Sequence, residues 1–214
     1  MSEAIDYRLS HTSGAISITG VSKRFGKHKA LDNVSLSLPP GSVTVILGPS
    51  GSGKSTLLSV AAGLIEPDSG GVRVSGERGI IFQQSNLVSS LNALDQLLIV
   101  DHMAGRKPRR EKARELLEYV GLPGMEARRI TQLSGGQRQR INIARALMAD
   151  PEVLLADEPT AALDSSLSRD VAKLLRDITD EQQTATMFVT HDRSLLEFAD
   201  SVVTVKDGKL AAGT

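Results

Sequence analysis

The sequence predicts an α/β fold in which a largely parallel sheet is interrupted by a helical insertion. Three observations carry this. Short Val- and Ile-rich runs alternate with segments of helical apolar spacing, the pattern of strands joined through crossover helices. From about Asn86 to Arg129, Leu and charged residues replace Val and Ile, which reads as helices set into that sheet. Glycine is abundant, 19 residues in 214 against about 15 at average usage, and it clusters in short runs rather than spacing itself evenly among turns.

In chain order, residues 1–14 are polar and end in Thr12-Ser13-Gly14, a loose lead-in. Strands are expected at Ile16–Val21, Val34–Leu38 and Val43–Leu47, the last two parted by the turn Pro39-Pro40-Gly41. Leu57, Leu58, Ala61 and Ala62 fall on one face of a helix over Lys54–Leu64. Val72–Val74 and Ile80–Phe82 fit further strands. In the Leu-rich middle, Pro108 opens a helix with Ala113, Leu116, Leu117 and Val120 on one face, and Gly121 stops it. A helix over Gly136–Met148 leads through Asp150-Pro151 into a buried strand, Val153–Ala156. A helix at Leu167–Thr179, a strand at Thr186–Thr190, a short helix and a strand at Val202–Val205 complete the pattern.

Composition excludes several classes of function. Lys plus Arg number 25 and Asp plus Glu number 25, a formal charge of zero, whereas a sequence-independent nucleic-acid binder needs an excess of cations to displace counterions. Without cysteine there is neither a disulfide framework nor a thiolate metal site. The start Met1-Ser2-Glu3-Ala4-Ile5-Asp6 has no basic or apolar segment of a secretory signal. The best apolar runs are about five residues, far short of the roughly 18 that cross a bilayer.

The glycine clusters carry the chemistry. Gly48-Pro49-Ser50-Gly51-Ser52-Gly53-Lys54-Ser55 matches the P-loop pattern, a Gly-rich turn between an apolar strand and a helix. Its glycines let backbone N–H groups close around phosphate oxygens, and the helix N-terminus adds its positive end. Lys54 then reaches the β and γ phosphates, the Ser55 hydroxyl ligands Mg²⁺, and Thr56 helps hold the phosphates. Val153 to Ala156 delivers Asp157 and Glu158 at a strand end, where a P-loop protein keeps an Mg²⁺-binding carboxylate; Glu158 is placed to orient or deprotonate water. In Leu133-Ser134-Gly135-Gly136-Gln137 a hydroxyl residue and two glycines open a second helix, a second anion-binding terminus. By composition that pentapeptide arises in about one of 3,000 such chains, so a merely Ser-capped helix is the weaker reading.

With these motifs in this order, residues 15–210 resemble the ATP-binding subunits of ABC transporters. The resemblance implies a P-loop NTPase core with an N-terminal antiparallel β subdomain and an inserted α-helical subdomain. It implies one domain over 1–214, with residues 15–85 and 138–214 as the core and 86–137 as the helical part. Phe25 stands where the family stacks an aromatic ring on adenine, usually a Tyr. Gly48, Pro49, Ser50, Gly51, Ser52, Gly53, Lys54, Ser55 and Thr56 look like Walker A. Gln83, or Gln84 beside it, looks like the Q-loop residue that senses Mg²⁺. Ser134, Gly135, Gly136 and Gln137 are similar to the family signature, which binds the ATP of a partner subunit. Asp157, through a water on Mg²⁺, and Glu158 look like Walker B and the catalytic glutamate. Asp164 falls in the D-loop at the dimer contact, and His191 looks like the switch histidine near the γ-phosphate. Glu158, His191 and Lys54 are thus the expected catalytic residues, Ser55, Gln83 and Asp157 the expected metal ligands, and ATP and Mg²⁺ the expected ligands.

The same resemblance implies head-to-tail pairing with a second copy or a homologous ATPase. It also implies coupling to a transmembrane permease on another chain, at the cytoplasmic face of the cell membrane. The stretch from Phe82-Gln83 to Asn92, and an end soon after Lys206-Asp207-Gly208-Lys209-Leu210, look similar to the small ATPases of macrolide, lipoprotein and haem exporters. Export is the expected direction. An importer ATPase, or a soluble ATPase of the iron–sulfur assembly kind, is the alternative. The remaining histidines, His11, His28 and His102, are expected to be structural or surface residues. The basic run Arg106, Lys107, Arg109, Arg110, Lys112 and Arg114 is expected to be a solvated helix face, and Arg138 and Arg140 solvated or salt-bridged.

Overall fold

The computed structural model describes residues 15–211, so the polar lead-in and His11 lie outside the described residues. The chain begins with strands β1 (Ile16–Phe25), β2 (His28–Leu38) and β3 (Ser42–Leu47), then helix α1 (Lys54–Ala61), β4 (Ser69–Val74) and β5 (Arg78–Ile81). Helices α2 (Ala93–Met103), α3 (Arg110–Tyr119) and α4 (Gly135–Leu147) follow. The chain continues with β6 (Val153–Asp157), α5 (Ser165–Gln182), β7 (Ala185–Val189), a 3₁₀ turn at Arg193–Phe198, β8 (Ser201–Lys206) and β9 (Lys209–Ala211).

Strands β1, β2 and β4 form an antiparallel sheet in the order β2-β1-β4. Alternating Ile16, Ile18 and Val21 on β1 and Leu31, Val34 and Leu38 on β2 are buried. The hairpin runs well past the apolar residues that predict it, closing with Phe25 opposite His28. The last rungs, Arg24–Lys29 and Phe25–His28, lie largely at the surface, so backbone pairing holds them and no hydrophobic alternation marks them. Phe25, His28 and the α2 residue His102 are all on the surface.

The second sheet has the order β5-β6-β7-β3-β8-β9, parallel except for β9, which folds back against β8. Its central strands β6 and β7 read Val-Leu-Leu-Ala and Ala-Thr-Met-Phe-Val and are buried on both faces, as continuous apolar runs in parallel sheets are. Each fully buried Leu or Phe there contributes about 1.5–3 kcal/mol through the water it excludes. α5 covers one face with Val171, Ala172, Leu175 and Ile178 buried at helical spacing, and α1 covers the other with Leu57, Leu58 and Ala61. All the parallel strands end at one edge, and the loops leaving β3, β6 and β7 share the crevice outside it.

The helical insertion differs from expectation in two ways. α2 carries two inward polar residues, Gln96 and Asp101, both fully buried, which erase the apolar stripe that would reveal the helix. Gln96 grips the backbone of Val88 at both N–H (3.1 Å) and carbonyl (2.6 Å). The basic run is not simply a solvated face. Arg109 clasps the buried Asp101 and reaches the Met148 carbonyl and Asp150, Arg106 also pairs with Asp101, and Lys112 pairs with Asp150. Arg109 holds the Asp101 carboxyl below the usual carboxylate range. A buried carboxylate recruits cations regardless of how the local sequence reads, and these tie the α2–α3 loop to the end of α4. Arg140 likewise donates to the Val120 carbonyl (2.8 Å) and Arg138 to the Leu133 carbonyl (3.0 Å). Among the described residues no helix is long and apolar enough to cross a membrane.

Candidate nucleotide-binding site

The loop after β3 is shaped by what lies beneath it. A Cβ at Gly48 would sit 2.2 Å from the Val205 carbonyl oxygen, and one at Gly53 would sit 2.3 Å from the Ala30 carbonyl oxygen, both at positive φ. No other residue fits either position, so the loop lies flush on β2 and β8. The Gly208 N–H donates to the Ser52 carbonyl (2.9 Å), and the Asp32 N–H donates to the Gly208 carbonyl (2.8 Å). Asp32 and the Asp207-Gly208 turn therefore form the floor of the loop. Sequence reasoning missed them, because backbone-to-backbone bonds leave no side-chain signature.

The Lys54 ammonium is buried inside the loop and donates to the Gly48 and Pro49 carbonyls, 2.9 Å each. Gly53 opens α1 without any side-chain cap, leaving the first-turn N–H groups for an anion. Pro49, Ser50 and Gly51 are exposed at the rim, Ser55 is exposed and Thr56 half-buried. Ser52 differs from its neighbours. Its hydroxyl is buried with no hydrogen-bond partner among the described residues and packs toward Gly48.

Two further loops close on this one. The Ser55 hydroxyl donates to Asp157 Oδ1 at 3.1 Å, joining positions 102 residues apart in the chain. Burial pushes the Asp157 carboxyl above its usual range against the opposing hydrogen bond from Ser55; the Glu158 charge adds to the rise and Lys54 counters it. Glu158 sits at φ +43°, unusual for a residue with a side chain, and its N–H is held by the Val189 carbonyl at 3.0 Å. Its carboxylate meets His191, whose Nδ1 lies 3.3 Å from Glu158 Oε2. The β6–β7 register, Asp157 opposite Val189, delivers this pairing.

The fit to Mg²⁺ rests on the donors present. A serine hydroxyl and a carboxylate kept partly desolvated beside a second carboxylate are hard oxygen groups short of a cation. Among the described residues no group of three or more His, Cys, Asp or Glu is placed to hold a metal ion. A carboxyl raised in the folded state adds stability only below the ordinary Asp pKa of about 3.9, and loses it as pH rises through the raised value. At neutral pH the ionised Asp157 therefore burdens the nucleotide-free chain. Asp157→Asn is expected to raise its melting temperature at pH 7 while abolishing the extra rise that Mg²⁺–ATP gives the unaltered chain, which thermal unfolding with and without the ligand measures.

Other expected residues lie nearby or apart. Phe25 sits half-exposed at the tip of the hairpin whose Ala30 and Leu31 pack on Gly53, with Lys23 Nζ 5.8 Å over its ring. Gln83 and Gln84 are exposed just past the rung Ile81–Ala156, at the same sheet edge as Asp157. Ser134 caps α4 by accepting from the Gln137 N–H (3.2 Å), while Gln137 Oε1 accepts from the Ser134 N–H (2.9 Å). This reciprocal capping box accounts for Gln137 by helix termination alone. Gly136 faces α5, where a Cβ would meet Leu167 at 3.4 Å, while one at Gly135 would reach Leu163 only at 3.9 Å. No hydrogen bond among the described residues joins Ser134–Gln137 to the P-loop. Asp164 caps α5 through the Leu167 N–H (2.9 Å).

Comparison with known proteins agrees with this geometry. The family model for the ABC transporter matches residues 31–161. The sulfate/thiosulfate import ATP-binding protein CysA of Synechococcus elongatus is 42% identical over 211 residues, covering 91% of this chain and 61% of that protein. Its counterpart in Bacillus cereus is 39% identical over 214 residues, covering 92% and 60%. The chain thus spans about three fifths of the length of these relatives. An ATP-binding cassette solved as a dimer in a post-hydrolysis state with ADP and Pi superposes with a TM-score of 0.81 at 34% identity, over 91% of this chain and 96% of that one. A second cassette, in its ADP conformation, gives 0.84 at 27% identity over 94% and 91%. The fold is the P-loop ATP-binding cassette. The expected export direction finds no support here: these relatives are import proteins by name, and neither a loop stretch nor the extent of the chain encodes direction.

Proposed function

The chain belongs to the ABC transporter family as its ATP-binding domain, and from that premise we propose that it binds and hydrolyses ATP to drive a membrane permease, in the import direction. One observation supports this most directly. The Lys54 loop, the Ser55–Asp157 contact and the Glu158–His191 pair converge at one edge of the parallel sheet, though they come from three loops far apart in sequence.

Phosphoryl transfer needs chiefly positioning and charge neutralisation. In this reading the loop N–H groups and the α1 terminus cradle the phosphates, and Lys54 leaves the Gly48 and Pro49 carbonyls to neutralise the β and γ oxygens. Glu158 aligns an attacking water and takes up its proton, and His191 steadies the Glu158 carboxylate. Ser55, Asp157 and Gln83 would hold Mg²⁺, which would supply charge neutralisation at the phosphates. Phe25 stacks on the adenine. We take residues 86–137 as a helical subdomain inserted in a single cassette domain. Its capped terminus Ser134–Gln137 engages the ATP of a second subunit, with Asp164 at the contact, so ATP bridges a head-to-tail pair that hydrolysis reopens.

The partner is a permease on another chain at the cytoplasmic face of the membrane, and the names of the relatives nominate sulfate or thiosulfate as cargo. Affinity purification of the tagged chain from detergent-solubilised membranes is expected to bring down a multi-span membrane protein. Cells lacking the chain are expected to lose ATP-dependent uptake of labelled sulfate. ATPase activity with no membrane partner would instead favour a soluble ATPase.

A further inference from the structure

We infer that Asn142 and Arg145 form a clamp that makes the Phe82–Asn86 segment move with the helix carrying Ser134–Gln137. Both are positioning residues, and the inference rests on the function proposed above.

Asn142 is fully buried on α4, and its Nδ2 donates to the Phe82 carbonyl at 3.1 Å. Its Oδ1 accepts from Arg145 Nη2 at 2.9 Å. The same Nη2 donates to the Ser85 carbonyl (2.8 Å), and Nη1 donates to the Asn86 carbonyl (3.1 Å). Two side chains three positions apart, on one helix face, thus hold three backbone carbonyls across the segment containing Gln83 and Gln84. That segment is neither helix nor strand, and Asn86 sits at φ +45°. With no ladder to satisfy them, those carbonyls depend on the clamp. Burial works against the charged form of Arg145, so losing these acceptors would strand a desolvated cation.

The mechanical consequence follows from helix geometry. From Ser134 to Arg145 is roughly 16 Å of helix at 1.5 Å per residue, and the span between is buried at Ile141, Ile143 and Ala144. A tilt imposed where Ser134–Gln137 meets the partner's nucleotide is carried by this rod to the clamp. From there it reaches Gln83, which borders this chain's own nucleotide. The capped terminus and the Gln83 loop answer to different ATPs, and the clamp joins them within one chain.

The test compares amide hydrogen exchange at residues 83–86 and 134–137, with and without ATP, in the Glu158→Gln chain. With the clamp intact, ATP is expected to slow exchange in both segments. Arg145→Lys keeps the charge but loses the two-pronged reach; there ATP should still protect 134–137, while its effect on 83–86 falls about two- to thirtyfold. Asn142→Ala is expected to do the same. In chains retaining Glu158, either change should lower kcat by a similar factor and leave ATP affinity within about twofold. Full ATP protection of 83–86 in both variants overturns the inference. Equal loss in both segments, with a lowered melting temperature, also overturns it, because that is mere scaffolding. If ATP fails to pair the Glu158→Gln chains in size-exclusion chromatography, the proposed function itself has failed, a result visible before any clamp variant is made.

Discussion

Replacing Glu158 with Gln is expected to reduce ATP turnover by about 10²- to 10⁴-fold while leaving nucleotide affinity near that of the unaltered chain. The amide keeps the size of the carboxylate and can still meet His191, so the β6–β7 edge need not rearrange. What it loses is the ability to take a proton from water. ATP then binds, bridges two copies and stays intact, so size-exclusion chromatography with Mg²⁺–ATP should show a persistent dimer that ADP does not produce. Undiminished turnover would remove Glu158 from the reaction. Because Gln cannot repel Asp157, the substitution should also relax the Asp157 carboxyl toward its ordinary range, with the melting temperature unchanged where a loss of packing would lower it.

Lys54→Ala is expected to weaken ATP binding by about 10- to 200-fold, the loss of one charge-assisted contact worth about 1.5–3 kcal/mol. Equilibrium titration with a fluorescent ATP analogue measures it. The buried ammonium also holds the Gly48 and Pro49 carbonyls together in the nucleotide-free chain, so truncation leaves both without their donor. Lys54→Arg should rescue little, since a planar guanidinium does not fit a loop closed around a compact ammonium. Unchanged affinity would refute the assignment of the loop.

Legibility in the sequence followed whether an interaction writes itself into side chains. β3, β6 and β7 were readable because both their faces are buried and demand unbroken apolar runs. The P-loop was readable because Gly48 and Gly53 have no tolerated alternative. The outer end of the β1–β2 hairpin was not, since its rungs pair Lys23 with Leu31, Arg24 with Lys29 and Phe25 with His28, with no apolar alternation to mark them. Nor was the Arg109–Asp101–Asp150 network, whose members lie up to 49 residues apart and resemble ordinary surface charge. Asn142 and Arg145 escaped for a related reason: their acceptors are carbonyls, which every residue has. In Gln137 the sequence suggested a ligand contact where the structure already supplies a capping role.

The floor beneath the P-loop has a temporal consequence. Asp32, Ser52 and Gly208 meet in one chain of backbone bonds, so the loop takes its final shape only when strands from both ends of the described chain are in place. During synthesis the motif emerges from the ribosome early, but the turn that supports it emerges about 150 residues later, about 8–30 s at ordinary elongation rates. Through that interval the nascent chain carries a complete P-loop sequence on an unfinished base. Competence to capture nucleotide therefore arrives as a late event of biogenesis, and a ribosome-stalled chain cut off before Gly208 would remain blind to ATP.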